Sequence, residues 1–385
     1  MLSRTLKWIY CTHLWLGLIT GVVAALLGIS GTVLIFRGEL EQAFRPHLLA
    51  SAPLSRETSI EHLVSSYIQV NPKQTLRGLQ LPTLGERNPL VLMVAGSGQP
   101  ARVYIDPATG LELKGPTNDW ISWTVRLHHS LFLKGHFYTG LAGVALSLLC
   151  VTGVVVWWSS IKTFAHDIAF RPGRLRTMRA RDVHIFAGVW LLIPLFLLAF
   201  SGTVFTWREA YTRVALALTR STVQKQKLAA AGDARSLNLD KAIAVARTRF
   251  PEATPTMVRM PAQTGDPLTV RMRTPDDSRD MGTTQVFVNA RAEVIGVEQP
   301  GDKPLAARAV EVLAPLHTGE LGGWPLKLAW AFMGLVPPLL FFSGVRAAWR
   351  KYVRVYPARV PVPSQPELEV LSARNSDFSR KEAGR

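Results

Sequence analysis

His13 opens an apolar run, His13-Leu-Trp-Leu-Gly17, that closes with Ser30-Gly-Thr-Val33 and Arg37. His184 opens a second, His184-Ile-Phe-Ala-Gly188, that closes with Ser201-Gly-Thr-Val204 and Arg208, every mark displaced by the same 171 positions. Leu127-His128 and Leu316-His317 precede two further apolar stretches whose ends also match, Thr152-Gly153-Val154 against Ser343-Gly344-Val345. A duplication this faithful places histidines in pairs at equal depth, and two imidazoles at one depth can share one metal. Neutral imidazole binds iron, copper, zinc and nickel, so the ligand type alone leaves the metal open. The surroundings narrow it. No carboxylate or cysteine lies near His13 or His184 within the apolar runs, whereas haem brings four equatorial ligands and two charges of its own and asks only for axial partners and apolar walls. The expectation is two bis-histidine haem b groups, one at His13 and His184 and one at His128 and His317.

Other residues near these positions carry two readings each. His129 is turned about 100° from His128 around a helix, so only one of the two can face a given haem, and equivalence with His317 favours His128. His136 could serve as a ligand or a substrate contact. Arg37 and Arg208 could pair with haem propionates or act as snorkelling anchors. Gly17, Gly21, Gly28, Gly31, Gly188 and Gly202 could give a flat macrocycle room, or serve ordinary close helix packing. Trp15, Trp190, Phe36, Phe205, Trp157, Trp158 and Trp330 could line the pockets, with interface belt or core as the ordinary alternative. His47, His62 and His166 have no matched partner and read as solvated surface residues.

The elements that must hold these groups are membrane helices. Of 385 residues, 48% are hydrophobic and 18% charged, a balance that fits membrane segments joined to sizeable aqueous domains. Four stretches, 14–36, 137–158, 185–207 and 325–345, approach the roughly 20 apolar residues a bilayer demands. The first is too long for a cleaved signal peptide, and its twin recurs in mid-chain. Basic residues gather at the N-terminus (Arg4, Lys7), between spans two and three (Lys162, Arg171, Arg174, Arg176, Arg179, Arg181) and after span four (Arg346, Arg350, Lys351, Arg354). The positive-inside rule then puts both termini and the central loop in the cytoplasm, and the two long connections in the periplasm of a bacterial inner-membrane protein. The net charge of +17 reads as a topology and lipid-surface signal, without the aromatic-interleaved patch of a nucleic-acid binder. Cys11 and Cys150, the only cysteines, lie outside the periplasmic connections, so neither a disulfide framework nor a thiolate metal site is available there.

The organisation expected is a first span within 1–36, an aqueous domain at 37–125, span two within 126–158, a basic loop at 159–183, span three within 184–207, a second aqueous domain at 208–320, span four within 321–346 and a basic tail at 347–385. In each aqueous domain a helix stopping at a proline (Ser59 to Pro72; Asn238 to Pro251) precedes strands: Leu90–Val94 and Ala101–Ile105 in the first, Leu268–Met272 and Gln285–Asn289 in the second. A turn then leads to a short return segment, Asp106-Pro-Ala-Thr-Gly110 into Leu111–Leu113 and Ala290-Arg-Ala-Glu293 into Val294-Ile295. These are two small α+β modules, one per repeat.

The Tyr104-Ile-Asp-Pro-Ala-Thr-Gly110 hairpin resembles PepSY modules. The chain as far as about Pro357 resembles the PepSY-associated transmembrane proteins, and within them most closely the FoxB-type inner-membrane ferric siderophore reductases, which contain haem. The second module departs from the hairpin pattern, with Asn289-Ala-Arg-Ala in its place. The resemblance implies electron transfer from a cytoplasmic or membrane donor, across the lipid, to a ferric siderophore in the periplasm. No dinucleotide fingerprint is present, so the electrons must be borrowed, and no hydrolase signature occurs. Two other classes stay open: a siderophore or metal carrier that uses its repeat for alternating access, and a non-catalytic membrane protein whose PepSY modules bind a partner.

Overall fold

In the computed structural model, residues 4–355 are described apart from 56, 84, 97–100, 116–118, 159–178, 224–227, 229–230, 234–237 and 278. Most of the basic central loop, His166 and the tail beyond 355 therefore lie outside the described residues. Helix α1 (Arg4–Ile35) runs uninterrupted through the first apolar stretch, and α2 (Arg37–Phe44) follows a break at Phe36. Helix α3 (Ile60–Val70) and strands β1 (Thr75–Gln80), β2 (Leu90–Ala95) and β3 (Ala101–Ile105) form the first half of an aqueous domain. Helix α4 (Trp120–Ser130) leads to α5 (Phe137–Trp158), the second long apolar helix. The third apolar stretch is a bent pair, α6 (Ala180–Trp190) and α7 (Leu192–Leu218), meeting at 69°. Helix α8 (Leu239–Arg249) and strands β4 (Thr254–Arg259), β5 (Leu268–Arg273), β6 (Thr284–Val288) and β7 (Val294–Glu298) make the second half of the aqueous domain. Helices α9 (Leu305–Thr318), α10 (Gly323–Gly334) and α11 (Val336–Val355) complete the chain, the last two forming a further stretch long and apolar enough to cross a bilayer.

The breaks have local causes. Pro194 has no N–H to offer the Trp190 carbonyl and its ring crowds that carbonyl, which bends the helix at Leu191. Pro337 and Pro338 follow the break at Leu335 for the same reason. Phe36 and Trp207 are repeat equivalents, and both leave helical geometry, at φ −103° and −125°. The second span covers Phe137–Trp158 as expected, and the part of 126–158 before it belongs to α4, which ends where Leu131 and Phe132 take positive φ (52° and 61°). Helix α1 packs on α5, α10 and α11, while α6 packs on α11 and α7 on α5. The leading helices of the two repeats thus face each other across the bundle, with the trailing helices on either side.

The two aqueous modules are not separate domains. Their strands join into one antiparallel sheet of seven, in the order β3-β2-β1-β4-β5-β6-β7, with β1 against β4 through Gly78–Arg259, Leu79–Val258 and Gln80–Met257. Both junction strands escaped the sequence expectation, which began each sheet one strand too late. The return segment 111–113 makes only an isolated bridge from Glu112 to Ile105, whereas its counterpart Val294–Glu298 is a full strand. Alternation along the strands buries Leu79, Leu90, Leu92, Val258, Leu268, Val270, Met272, Val286 and Val288 completely, under α3 and α8. Each such side chain contributes about 1.5–3 kcal/mol. The two helices also cap each other: Asp240 of α8 accepts from Ile60 N (2.8 Å) and Ser59 Oγ (2.5 Å) at the start of α3, and Glu61 of α3 accepts from Leu239 N (2.9 Å).

Candidate functional site

The paired histidines meet. The His13 and His184 rings have centroids 6.3 Å apart and planes at 85°; the His128 and His317 rings are 6.4 Å apart at 45°. Along α1, His13 and the Ser30 position that touches His128 are separated by roughly 25 Å at 1.5 Å per residue, so the pairs lie toward opposite ends of the bundle.

Each ring sits in the same cradle, built from a Leu-x-x-Ser/Thr-Gly turn on a neighbouring helix. His128 Nδ1 lies 3.0 Å from Leu27 O and 3.1 Å from Ser30 Oγ. His317 Nδ1 lies 3.0 Å from both Leu198 O and Ser201 Oγ. His184 Nδ1 lies 2.9 Å from Leu340 O and 3.3 Å from Ser343 Oγ. His13 Nδ1 lies 3.0 Å from Thr152 Oγ1, with the Leu149 carbonyl as its backbone partner. The glycine after each hydroxyl residue leaves space for the ring: a Cβ at Gly31, Gly153, Gly202 or Gly344 would stand 3.0, 3.2, 3.2 or 3.1 Å from the histidine Cε1. The exchange is mutual within each repeat: α1 seats His128 of α4 while α5 seats His13 of α1, and α7 seats His317 of α9 while α11 seats His184 of α6.

The cradle sets the tautomer. The hydroxyl protons are used on helix carbonyls, Ser30 to Leu26 O (2.7 Å), Thr152 to Leu148 O (2.8 Å), Ser201 to Leu198 O (3.1 Å) and Ser343 to Leu339 O (2.7 Å). A carbonyl can only accept, so this network assigns the ring proton to Nδ1 and leaves Nε2 with its lone pair free for a ligand bond. Two imidazoles sharing one metal, each with a metal–nitrogen bond of about 2.0 Å and its ring centre about 1.1 Å behind the nitrogen, would have ring centres about 6 Å apart. The observed 6.3 and 6.4 Å fit that spacing. No group of three His, Cys, Asp or Glu converges among the described residues, so each pair suits a group that brings its own equatorial donors, as haem does.

Of the other expected residues, His129 is exposed and outside any cradle, its ring 6.0 Å from His128 and 5.9 Å from His136. The structure therefore seats His128. His136 Nδ1 bonds the His129 carbonyl at 2.8 Å. Arg37 pairs with Glu41 (2.9 Å) and Arg208 with Glu311 (2.7 Å). Phe205 stands 5.5 Å from His317, and Trp330 Nε1 donates to the adjacent Leu316 carbonyl. Trp15 and Trp190 are exposed, and Phe36 stacks on Trp324. The glycines divide: Gly21 and Gly28 let α1 approach Phe341 and Gly334, while Gly31 and Gly202 face histidines.

Two ion-pair groups that escaped the sequence reading anchor the histidine-bearing helices α4 and α9. Buried Arg45 makes a bidentate pair with Asp119 (2.5 and 2.6 Å), the N-cap of α4, and also reaches Glu41 and Ser122. Glu311 on α9 receives Arg208 and Lys303 at 2.7 and 2.8 Å.

A duplicated bundle of apolar helices under a shared α+β sheet, with histidine pairs inside, defines an integral membrane protein of two fused repeats. Comparison with known families matches residues 10–351 to the PepSY-associated TM region. The chain belongs to that family. A search among curated proteins finds no match.

Proposed function

We propose that the chain is a transmembrane electron conduit that holds two haem b groups and reduces a ferric siderophore on the periplasmic side of a bacterial inner membrane, releasing ferrous iron. The observation that carries this reading is the meeting of the four histidines as two pairs, each Nδ1 held by a Leu-x-x-Ser/Thr-Gly turn of another helix so that Nε2 would be free for a metal. Haem, when bound, supplies one-electron carriage through its iron. His13 and His184 would hold one group near the end where α1 begins and α11 finishes, and His128 and His317 the other beneath the sheet. The Ser/Thr hydroxyls and leucine carbonyls orient the rings and keep Nε2 deprotonated. The apolar walls exclude water from the ligand bonds. The siderophore comes from the resemblance to FoxB-type reductases and not from the geometry; the electron donor is a cytoplasmic or membrane reductant, since the sequence carries no dinucleotide fingerprint. Hard-oxygen chelates hold ferrous iron far more weakly than ferric, so reduction releases the metal.

Purified protein tests this directly. A Soret band with two haems per chain by pyridine haemochrome is expected, falling to one in His317→Ala and in His13→Ala, and dithionite-reduced protein should reoxidise on adding a ferric trihydroxamate. Colourless wild-type protein would end the reading. The internal repeat and its bent third span also suit a carrier working by alternating access, and that alternative predicts chelate uptake into vesicles without any Soret band.

A further inference from the structure

The face of the sheet opposite α3 and α8 carries chemistry that the histidine pairs do not use. On β5, Leu268, Val270 and Met272 point to the helices α3 and α8, so Thr269, Arg271 and Arg273 point the other way. Arg271 lies opposite Gln285 of β6 and Met257 of β4, and Arg259 lies opposite Thr269. That makes Arg259 and Arg271 diagonal neighbours on one face, about 7–8 Å apart, where like charges repel. Arg279, from the turn after β5, donates to the Glu311 main-chain carbonyl. Arg208 and Lys303 both bond Glu311 Oε1, at 2.7 and 2.8 Å, and Lys303 also reaches Glu298 at 2.8 Å. Five cations thus gather around two carboxylates. Neither the Arg259 nor the Arg271 guanidinium donates a hydrogen bond among the described residues. Arg271 is half-buried, and desolvation together with Arg259, Arg279 and Arg208 pulls its pKa below the usual arginine value. An arrangement that costs the free protein stability is relieved by an oxyanion that bridges the guanidinium forks.

We propose that Arg259, Arg271 and Arg279 form a seat for a metal chelate bearing several carboxylates, beside the periplasmic histidine pair. The location suits that role: Glu311, at the centre of the cluster, is six residues from His317 on α9, about 9 Å along the helix. The position of the seat relative to electron delivery rests on the proposed conduit; the binding itself does not. Haem propionates carry the same carboxylate chemistry, and the test separates the two sources.

Full-length protein in detergent is titrated calorimetrically with gallium(III) citrate, a redox-silent analogue of a ferric polycarboxylate. Wild type is expected to bind, and Arg259→Gln/Arg271→Gln to bind at least tenfold more weakly while its haem content and Soret band match wild type. Arg271→Lys, which keeps the charge, should retain more affinity than Arg271→Gln and guards against a folding defect. Absent binding to wild type, or equal binding by the double variant, overturns the seat. Loss of haem from the double variant also overturns it, since the arginines would then be propionate anchors. A wild type without haem sinks the conduit alone, because the titration needs no iron porphyrin.

Discussion

A lone histidine in an apolar helix has no defined direction or tautomer; here each of four gains both from a leucine carbonyl, a hydroxyl and a glycine on another helix. The glycine is the most sensitive of the three, because a β-carbon at residue 31 would stand 3.0 Å from His128 Cε1. Gly31→Val should therefore displace His128 and, on the proposed two-haem reading, lower the haem content from two per chain to one, leaving the His13 and His184 pair loaded. Unchanged stoichiometry would contradict the cradle. Ser201→Ala should be milder, since the Leu198 carbonyl at 3.0 Å still accepts from His317; two haems should remain, with a shifted midpoint potential at one of them.

At the scale of elements, α4 and α9 are short helices whose placement depends on charge. The Arg45 guanidinium beside Asp119 holds that carboxyl well below the usual carboxylate range. A depressed folded-state pKa contributes stability that is fully present above the ordinary carboxylate value and disappears as pH falls through the folded one. The wild-type Tm should thus drop relative to that of Asp119→Asn as pH falls below about 4; a constant difference would show that the pair does not stabilise the α4 seat. Arg45→Ala, which leaves the Asp119 carboxylate with its Ser122 contact alone, should cost about 1–3 kcal/mol at neutral pH, read as a fall in Tm. The second hairpin offers an opposite change. Asn289 Oδ1 accepts from Arg291 N and Glu293 N at 2.9 Å, reproducing the Asp106 turn, but Ala292 sits at φ +61°. Ala292→Gly should raise stability by about 1 kcal/mol, read as an increase in Tm.

For the whole molecule, the decisive contact is the β1–β4 junction, which fuses two duplicated modules into one sheet. A Cβ at Gly78 would lie 2.7 Å from the Val258 carbonyl oxygen and 2.9 Å from Met93 Cε. Gly78→Val should therefore cost about 1–3 kcal/mol and raise hydrogen exchange at β1 and β4 well above that at β2 and β5. Uniform exchange across the sheet would mean the two halves do not depend on the seam.

The duplication, the apolar spans, the helix-then-strand order of each module and the identity of the four paired histidines were all legible in the chain, because periodicity and repetition are local properties of sequence. The choice of His128 over His129 came from repeat equivalence and is met by a cradle only tertiary packing could supply. The Ser-Gly and Thr-Gly marks were visible as repeat landmarks, yet their role as ring acceptors depends on which helices become neighbours. The joining of β1 to β4, the reciprocal capping by Asp240 and Glu61, and the arginines gathered around Glu311 are contacts between residues far apart in the chain. No spacing rule encodes them; they exist because two copies of one fold close against each other.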